Sequence, residues 1–138
     1  MYPTQSDTKH GQIPLNCGVA LTDKEGFLVK LGTTGALLPT ATTDIPHSLC
    51  VSGEALNSVG HFEPFTGEKN VRVFAKGAGN KGDLLVLADP ATPADAGKLR
   101  ALPAAPATYR VVAIAEEDFV DGQCVKVRPS PVGNVTVT

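Results

Sequence analysis

Hydrophobic residues recur at every second position along most of the chain, in short runs separated by glycine, proline and polar turn residues. In CGVALTDKEGFLVKLG, residues 17–32, this alternation runs on both sides of a DKEG turn. The same period of two appears in VRVFAK, residues 71–76, and in the C-terminal VGNVTVT, residues 132–138. Because alternate side chains of a strand point to opposite faces, the pattern predicts short, half-buried β-strands.

A second group of strands is predicted between residues 82 and 129. The run from Leu84 to Leu87 is continuously apolar between turn signals, which predicts a strand covered on both faces. GKLRAL, residues 97–102, predicts a short strand that follows a loop from Asp89 to Gly97 with two prolines. YRVVAIAEED and GQCVKVRP predict two longer strands joined by the Asp121–Gly122 turn.

Helical signals are weak. SGEALNSVG, residues 52–60, is the best candidate, and Gly60 ends it within two turns. Turn residues return every eight to twelve positions, which is typical of all-β proteins, and no internal repeat is apparent. We therefore predict a small barrel or sandwich of short antiparallel strands. Residues 17–138 form this β-rich domain, and the polar residues 1–16 form a flexible N-terminal arm.

Composition and charge limit the kinds of molecule and compartment that the sequence predicts for this protein. The chain of 138 residues fits one domain, and its net charge of -2 with scattered lysines and arginines argues against nucleic-acid binding. No window of about 18 apolar residues occurs, so no membrane span is predicted. The N-terminus lacks the apolar core of a secretory signal, which predicts a protein that is made in a cytoplasm and is either kept there or becomes part of something assembled there.

The three cysteines, Cys17, Cys50 and Cys124, lie far apart, with no metal-ligand spacing between them. We expect three reduced thiols and no disulfide, as in a reducing compartment. His10, His47 and His61 form none of the common metal-binding motifs. A zinc site is therefore not predicted.

The acidic residues offer several candidate catalytic groups. Asp83 and Asp89 flank the LLVL run and would lie about 20 Å apart on a strand, too far for a glycosidase pair. Both are better explained as turn residues, one beside Gly82 and one before Pro90. The EED cluster, Glu116 to Asp118, would need a ligand from another segment to bind a metal.

Nucleophilic and group-carrier chemistry also lack complete motifs. Cys50 with His47 is a poor pair, because residues three apart on a strand point to opposite faces. GAGNKG, residues 77–82, lacks the P-loop ending, and Lys98 lacks the context of a lipoyl or biotinyl lysine. A hydrolase using Cys50 or the EED cluster stays a minor alternative. We assign no catalytic, cofactor-binding or metal-binding residue, and no cofactor.

Four stretches together are similar to the head decoration, or capsid cement, proteins of tailed bacteriophages. They are GVALTDKEGFLVKLGTTG, VRVFAKGAGNKGDLLVLAD, AGKLRAL and YRVVAIAEEDFVDGQCVKVRPSP, within residues 17–131. In that family a strand leads into a KGD turn, a GKL-type strand follows, and a VVGIA strand runs into an acidic DG turn. Ala113 replaces the glycine of VVGIA here, and residues 1–16 match no motif.

The resemblance implies a structural virion protein without enzymatic activity, made in the bacterial host and bound to the capsid exterior. Its expected partners are the major capsid protein and further copies of itself, with a homotrimer favoured. The arm is then expected to contribute to docking, and the loop from Asp89 to Gly97 to lie near a contact. Another β-rich virion module, such as a tail or fibre adaptor, is the alternative.

Overall fold

The computed structural model describes residues 11–138 as ten strands in two antiparallel sheets. The first sheet holds β1 (Ile13–Asn16), β2 (Leu28–Gly32), β3 (Gly35–Leu37), β4 (Ser48–Ser52) and β5 (Val59–Pro64). The second holds β6 (Val71–Phe74), β7 (Leu84–Leu87), β8 (Leu99–Ala101), β9 (Ala107–Ala115) and β10 (Cys124–Val137). The predicted all-β class is confirmed. Within the described residues neither ladder closes into a barrel, so the sandwich alternative fits.

The two sheets are copies of one topology. Their strand orders are β1-β5-β4-β2-β3 and β6-β10-β9-β7-β8, which are identical when each sheet is counted from its own first strand. We call residues 13–64 the first unit and residues 71–137 the second unit. The chain is therefore built from two equivalent five-stranded units in tandem, a repeat that the sequence did not reveal.

Individual backbone contacts confirm this equivalence. A single parallel bridge links the two edge strands in each unit, Cys17 with Ala36 and Ala75 with Leu99. Three backbone hydrogen bonds of the first unit also have counterparts in the second. The bond from Cys17 N to Ser58 O corresponds to that from Ala75 N to Gln123 O, and the bond from Gly26 N to Cys50 O to that from Gly82 N to Ala115 O. The bond from Asn57 N to Cys17 O corresponds to that from Gly122 N to Ala75 O. Asn57 and Gly122 even share positive φ values, 67° and 82°. The same turns thus hold the same strands in both units.

Each unit surrounds an apolar core of its own. The first unit's core contains Cys17, Leu21, Val29, Ala36, Cys50 and Phe62. The larger core of the second unit includes Leu85, Leu87, Leu99, Val125 and Val127, and it also takes in Leu28 and Leu49 from the first unit. A third cluster, with Val86, Tyr109 and Val111 buried, lies on the outer face of the second sheet against the end of β10. The LLVL strand is covered on both faces as predicted, with Leu84 half-buried.

The units meet through the start of β2. The amide of Leu28 donates to the carbonyl of Gly97 at 2.8 Å, and the amide of Phe74 donates to Gly26 at 3.0 Å. The rings of Phe27 and Phe74 lie 5.5 Å apart between centroids. One end of the second unit is therefore closed by the first unit.

Several predicted boundaries need correction. The arm was predicted to extend to residue 16, but Ile13–Asn16 is strand β1, paired with β5; residues 1–10 lie outside the described part. Residues 18–21 are not a strand, because they turn so that Leu21 enters the core. Residues 52–60 contain turns and no helix. The C-terminal tail is not a separate strand, since β10 continues through it past a bulge.

The loop from Asp89 to Gly97 is exposed only in part. Residues 91–94 are exposed as predicted, whereas Asp95 to Gly97 are buried. A short 3-10 turn, Pro93–Asp95, directs the Asp95 carboxylate inward, where it forms ion pairs with Lys98 at 3.2 Å and Lys76 at 3.7 Å. Buried charges need such partners, so this aspartate has a structural role that its loop context did not suggest.

Candidate interaction surface

An apolar groove of about 300 Å³ lies at the seam between the two units. Its lining residues come from both units: Ile45, Pro46, Phe65, Thr66 and Gly67 from the first unit and the connection after it, and Arg110, Val111, Val112, Pro129 and Gly133 from the second. We call this feature the seam groove. An apolar concavity with one charged side chain in its wall is the usual form of a binding site.

One wall of the seam groove is a loop held in place by Asp44. The Asp44 carboxylate accepts hydrogen bonds from the backbone amides of Thr40 and Ala41, at 2.8 and 3.0 Å. The ammonium of Lys30 on β2 donates to the same oxygen at 3.0 Å. Local bonds from an aspartate to nearby amides stabilise turns, so residues 40–46 are tied to the first sheet.

The same loop is also tied to the second unit. The Nε of Arg110 on β9 donates to the carbonyl of Thr43 at 2.9 Å. Ile45 directly follows these anchored residues and is 67% exposed. The loop therefore presents an isoleucine to solvent in a fixed position beside the seam groove.

A bulge in β10 also borders the seam groove, which Pro129 and Gly133 line. Between Pro129 and Gly133 the ladder advances four residues on β10 and two on β9. Bulges re-aim side chains out of a sheet, and Val132 within this one is 56% exposed. Ile45 and Val132 are thus apolar residues in solvent at a site that draws on both units.

The loop anchor predicts a specific pH dependence. Burial opposes ionisation of Asp44, but its hydrogen bonds from Thr40, Lys30 and Ala41 outweigh this effect and hold its pKa below the usual value of 3.8. A lowered carboxyl pKa stabilises the folded state above the unfolded-state value, and this stabilisation is lost as the pH falls through the folded-state value. We expect Asp44→Asn to lower the thermal midpoint at pH 7 and to have little effect well below pH 3.8.

Thermal unfolding of wild type and variant from pH 7 down to pH 2 measures this difference. Asp89→Asn is the control, because Asp89 caps a turn away from the groove by accepting from Ala91 N at 2.9 Å. A midpoint difference for Asp44→Asn that persists undiminished at pH 2 would contradict the assignment.

The carboxylates of the acidic EED cluster accept hydrogen bonds from other segments and form ion pairs. Glu116 accepts from Asn70 at 3.0 Å and pairs with Arg128, and the hydrogen bond from Asn70 is the main cause of its lowered pKa. The hydrogen bond from the backbone amide of Lys126 is the main cause of the lowered pKa of Glu117, whose carboxylate also forms an ion pair with Arg72. Asp118 accepts from the backbone amide of Lys81 at 2.8 Å. All three carboxylates thus have protein partners, and no group of three metal-binding side chains occurs in residues 11–138.

The other sequence candidates also have structural roles. Cys50 is buried in the first unit's core, where burial, with smaller effects of Glu25 and Cys17, raises its pKa to about 12. A nucleophilic cysteine needs a lowered pKa, so this thiol is not activated. His47 is exposed, and its Nδ1 lies 3.3 Å from the hydroxyl of Ser48. Asp83 accepts from Asn80 N at 2.9 Å, which is the predicted turn role.

Sequence reasoning did not identify the seam groove or Ile45. The available signal was an isoleucine followed by proline within the polar stretch TATTDIPH, which was assigned to a loop.

No helix in residues 11–138 is long and apolar enough to cross a membrane. In comparisons with known proteins, no family model, no curated protein and no solved structure matches this chain.

Proposed function

We propose that this protein is a capsid cement protein, which binds the outer surface of a phage shell and links neighbouring capsomers. Its partners in this proposal are the major capsid protein and other copies of itself, with a trimer favoured. The observation that carries the proposal is the seam groove together with the exposed Ile45 beside it, which we call the seam surface. There, Ile45 is held in solvent by contacts to both units, next to an apolar groove.

The geometry of the seam surface suits recognition of a rigid partner. Association costs free energy when mobile loops must be ordered, and the bonds of Asp44 and Arg110 already fix this loop. A shell repeats the same site many times, so a weak contact from each copy is multiplied when copies are linked. A modest apolar contact per copy is therefore sufficient.

The segments that carry the resemblance to cement proteins support the proposal. KGD forms the turn before β7, with Gly82 at a φ of 91°. GKL leads into β8, VVAIA lies in β9, and DG forms the turn before β10, with Gly122 at a φ of 82°. The motifs of the resemblance therefore coincide with turns and strands of the second unit, and the glycines of KGD, GKL and DG adopt a backbone conformation that other residues rarely take.

The proposal is tested by replacing Ile45 with serine. Burying an isoleucine side chain contributes about 1.5 to 3 kcal/mol, so its loss weakens binding by about 10- to 150-fold per contact. The measurement is co-sedimentation of purified protein with expanded and unexpanded shells of the encoding phage. Val120→Ser is the matched control, because Val120 is 65% exposed and lies away from the seam groove.

We expect wild type and Val120→Ser to sediment with the shells and Ile45→Ser to remain in the supernatant at the same concentration. Failure of the wild-type protein to bind either form of the shell would contradict the proposal, as would its recovery on tails or fibres. Equal binding by Ile45→Ser would show that the seam is not the docking surface.

A further inference from the structure

The two units differ in the burial of one pair of equivalent leucines. Leu87 on β7 pairs with Leu99, and Leu31 on β2 pairs with Ala36, in matching registers. Ala36 and Leu99 are themselves equivalent, since each forms the parallel bridge of its unit. Leu87 is fully buried, whereas Leu31 is 51% exposed.

The first unit covers the end of the second unit at which Leu87 lies. Leu28 and Leu49 join the core cluster that contains Leu87, and Leu28 N donates to the carbonyl of Gly97 just before β8. The corresponding end of the first unit has no such cover within residues 11–138, which leaves Leu31 in solvent.

The chain also contains a second version of the covering face. Leu28 pairs with Leu49 in the first unit, and Leu84 pairs with Ile114 at the equivalent positions of the second unit. Leu28 and Leu49 are buried between the units, while Leu84 and Ile114 are half-buried at the surface of the second unit. Leu84 packs in part against the third cluster of its own unit. One molecule thus has an uncovered end on its first unit and a partly exposed counterpart of the covering face on its second.

We propose that the second unit of one copy covers the Leu31 end of the first unit of the next copy. This contact continues from chain to chain the interface that already joins the two units within a chain. It deepens the self-association suggested under the proposed function and identifies the faces involved. Because two different faces meet, the contact is heterologous, and it generates a ring when the rotation closes.

Chemical differences at the interface predict how strong this contact is. The internal interface places Phe27 against Phe74. The equivalent positions of the free faces hold Asp83 and Asn16, as the matching turn bonds and strand registers show. Asn16 Nδ2 donates to the carbonyl of Thr34 and Asp83 Oδ2 accepts from Asn80 N. The second amide hydrogen of Asn16 can still donate to the other oxygen of Asp83, so this pair is complementary but more polar than two rings. We therefore expect reversible association that depends on protein concentration.

Sedimentation equilibrium of the free protein, without capsids, tests the inference. We expect wild type to form oligomers and Leu31→Lys to shift association by at least about tenfold toward monomer, because the contact loses its central apolar residue. Leu56→Lys is the matched control: Leu56 is 55% exposed in a turn of the same unit and should associate like wild type. Ile114→Lys removes the other face and should also give monomers, with Ile114→Thr as a milder variant if the lysine prevents folding.

Mixing the variants identifies the type of contact. Leu31→Lys retains an intact covering face, and Ile114→Lys retains an intact Leu31 end. These two faces can bind each other in an equimolar mixture, which should therefore form a dimer. The dimer should grow no further, because its two remaining faces are the substituted ones. A mixture that stays monomeric would overturn the head-to-tail contact, as would a wild-type protein that is monomeric up to about 1 mM. Because no shell is present, either failure is distinct from failure of capsid binding.

Discussion

Replacing Leu85 with alanine is expected to lower the free energy of unfolding by about 2 to 5 kcal/mol. Leu85 is fully buried in the core of the second unit, where its strand lies between β8 and β9. The substitution removes apolar contacts and leaves a cavity that a sheet framework fills poorly. Urea unfolding followed by circular dichroism gives the difference directly.

Leu84→Ala is the matched control for this experiment. Leu84 is the preceding residue of the same strand, but it is half-buried on the opposite face. We expect its substitution to have clearly less effect on stability than that of Leu85. Equal losses at the two positions would contradict the assignment of the strand's two faces.

Replacing Gly35 with alanine is expected to destabilise the protein by about 2 to 6 kcal/mol. Gly35 begins β3 at a φ of 129°, a conformation that costs an L-residue about 1 to 3 kcal/mol. A Cβ there would lie 2.1 Å from the carbonyl oxygen of Asn16, so β1 and β3 would have to separate, at a further cost of about 1 to 3 kcal/mol.

Gly11→Ala separates these two contributions. Gly11 has the same φ of 129°, yet a Cβ there would meet nothing within 4 Å. Urea unfolding of both variants should therefore show a larger loss for Gly35→Ala. If the two losses are equal, the close approach of β1 and β3 does not contribute to stability.

The sequence predicted several strands well where an alternating or continuous apolar run was bounded by a glycine turn. The β6 strand, the LLVL strand and the strands on either side of the Asp121–Gly122 turn lie where the pattern placed them. These features depend on neighbours within a few residues, so they are visible in a local pattern. Residues 18–21 were misassigned, because a local alternation does not show that Leu21 enters the core from a turn.

The tandem repeat was hidden because the units share their backbone geometry but only some residue types at equivalent positions. Cys17 corresponds to Ala75 and Asn57 to Gly122, and the loops between equivalent strands differ in length. The seam groove was hidden for a related reason. Its border depends on Arg110 reaching Thr43, a contact between residues 67 positions apart that no short-range pattern reveals.

The unequal cores of the two units imply an order of opening. The first unit has six buried residues in its own core, compared with fourteen in the cluster that includes the second unit. Regions with less buried apolar surface open at lower free energy, as cooperative segments that need not involve the whole molecule. The first unit is therefore the weaker half, and its amide protons exchange with solvent before those of β7 and β9. If a neighbouring copy covers its Leu31 end, the free energy needed to open the first unit rises. Assembly would then protect the less stable half of the chain.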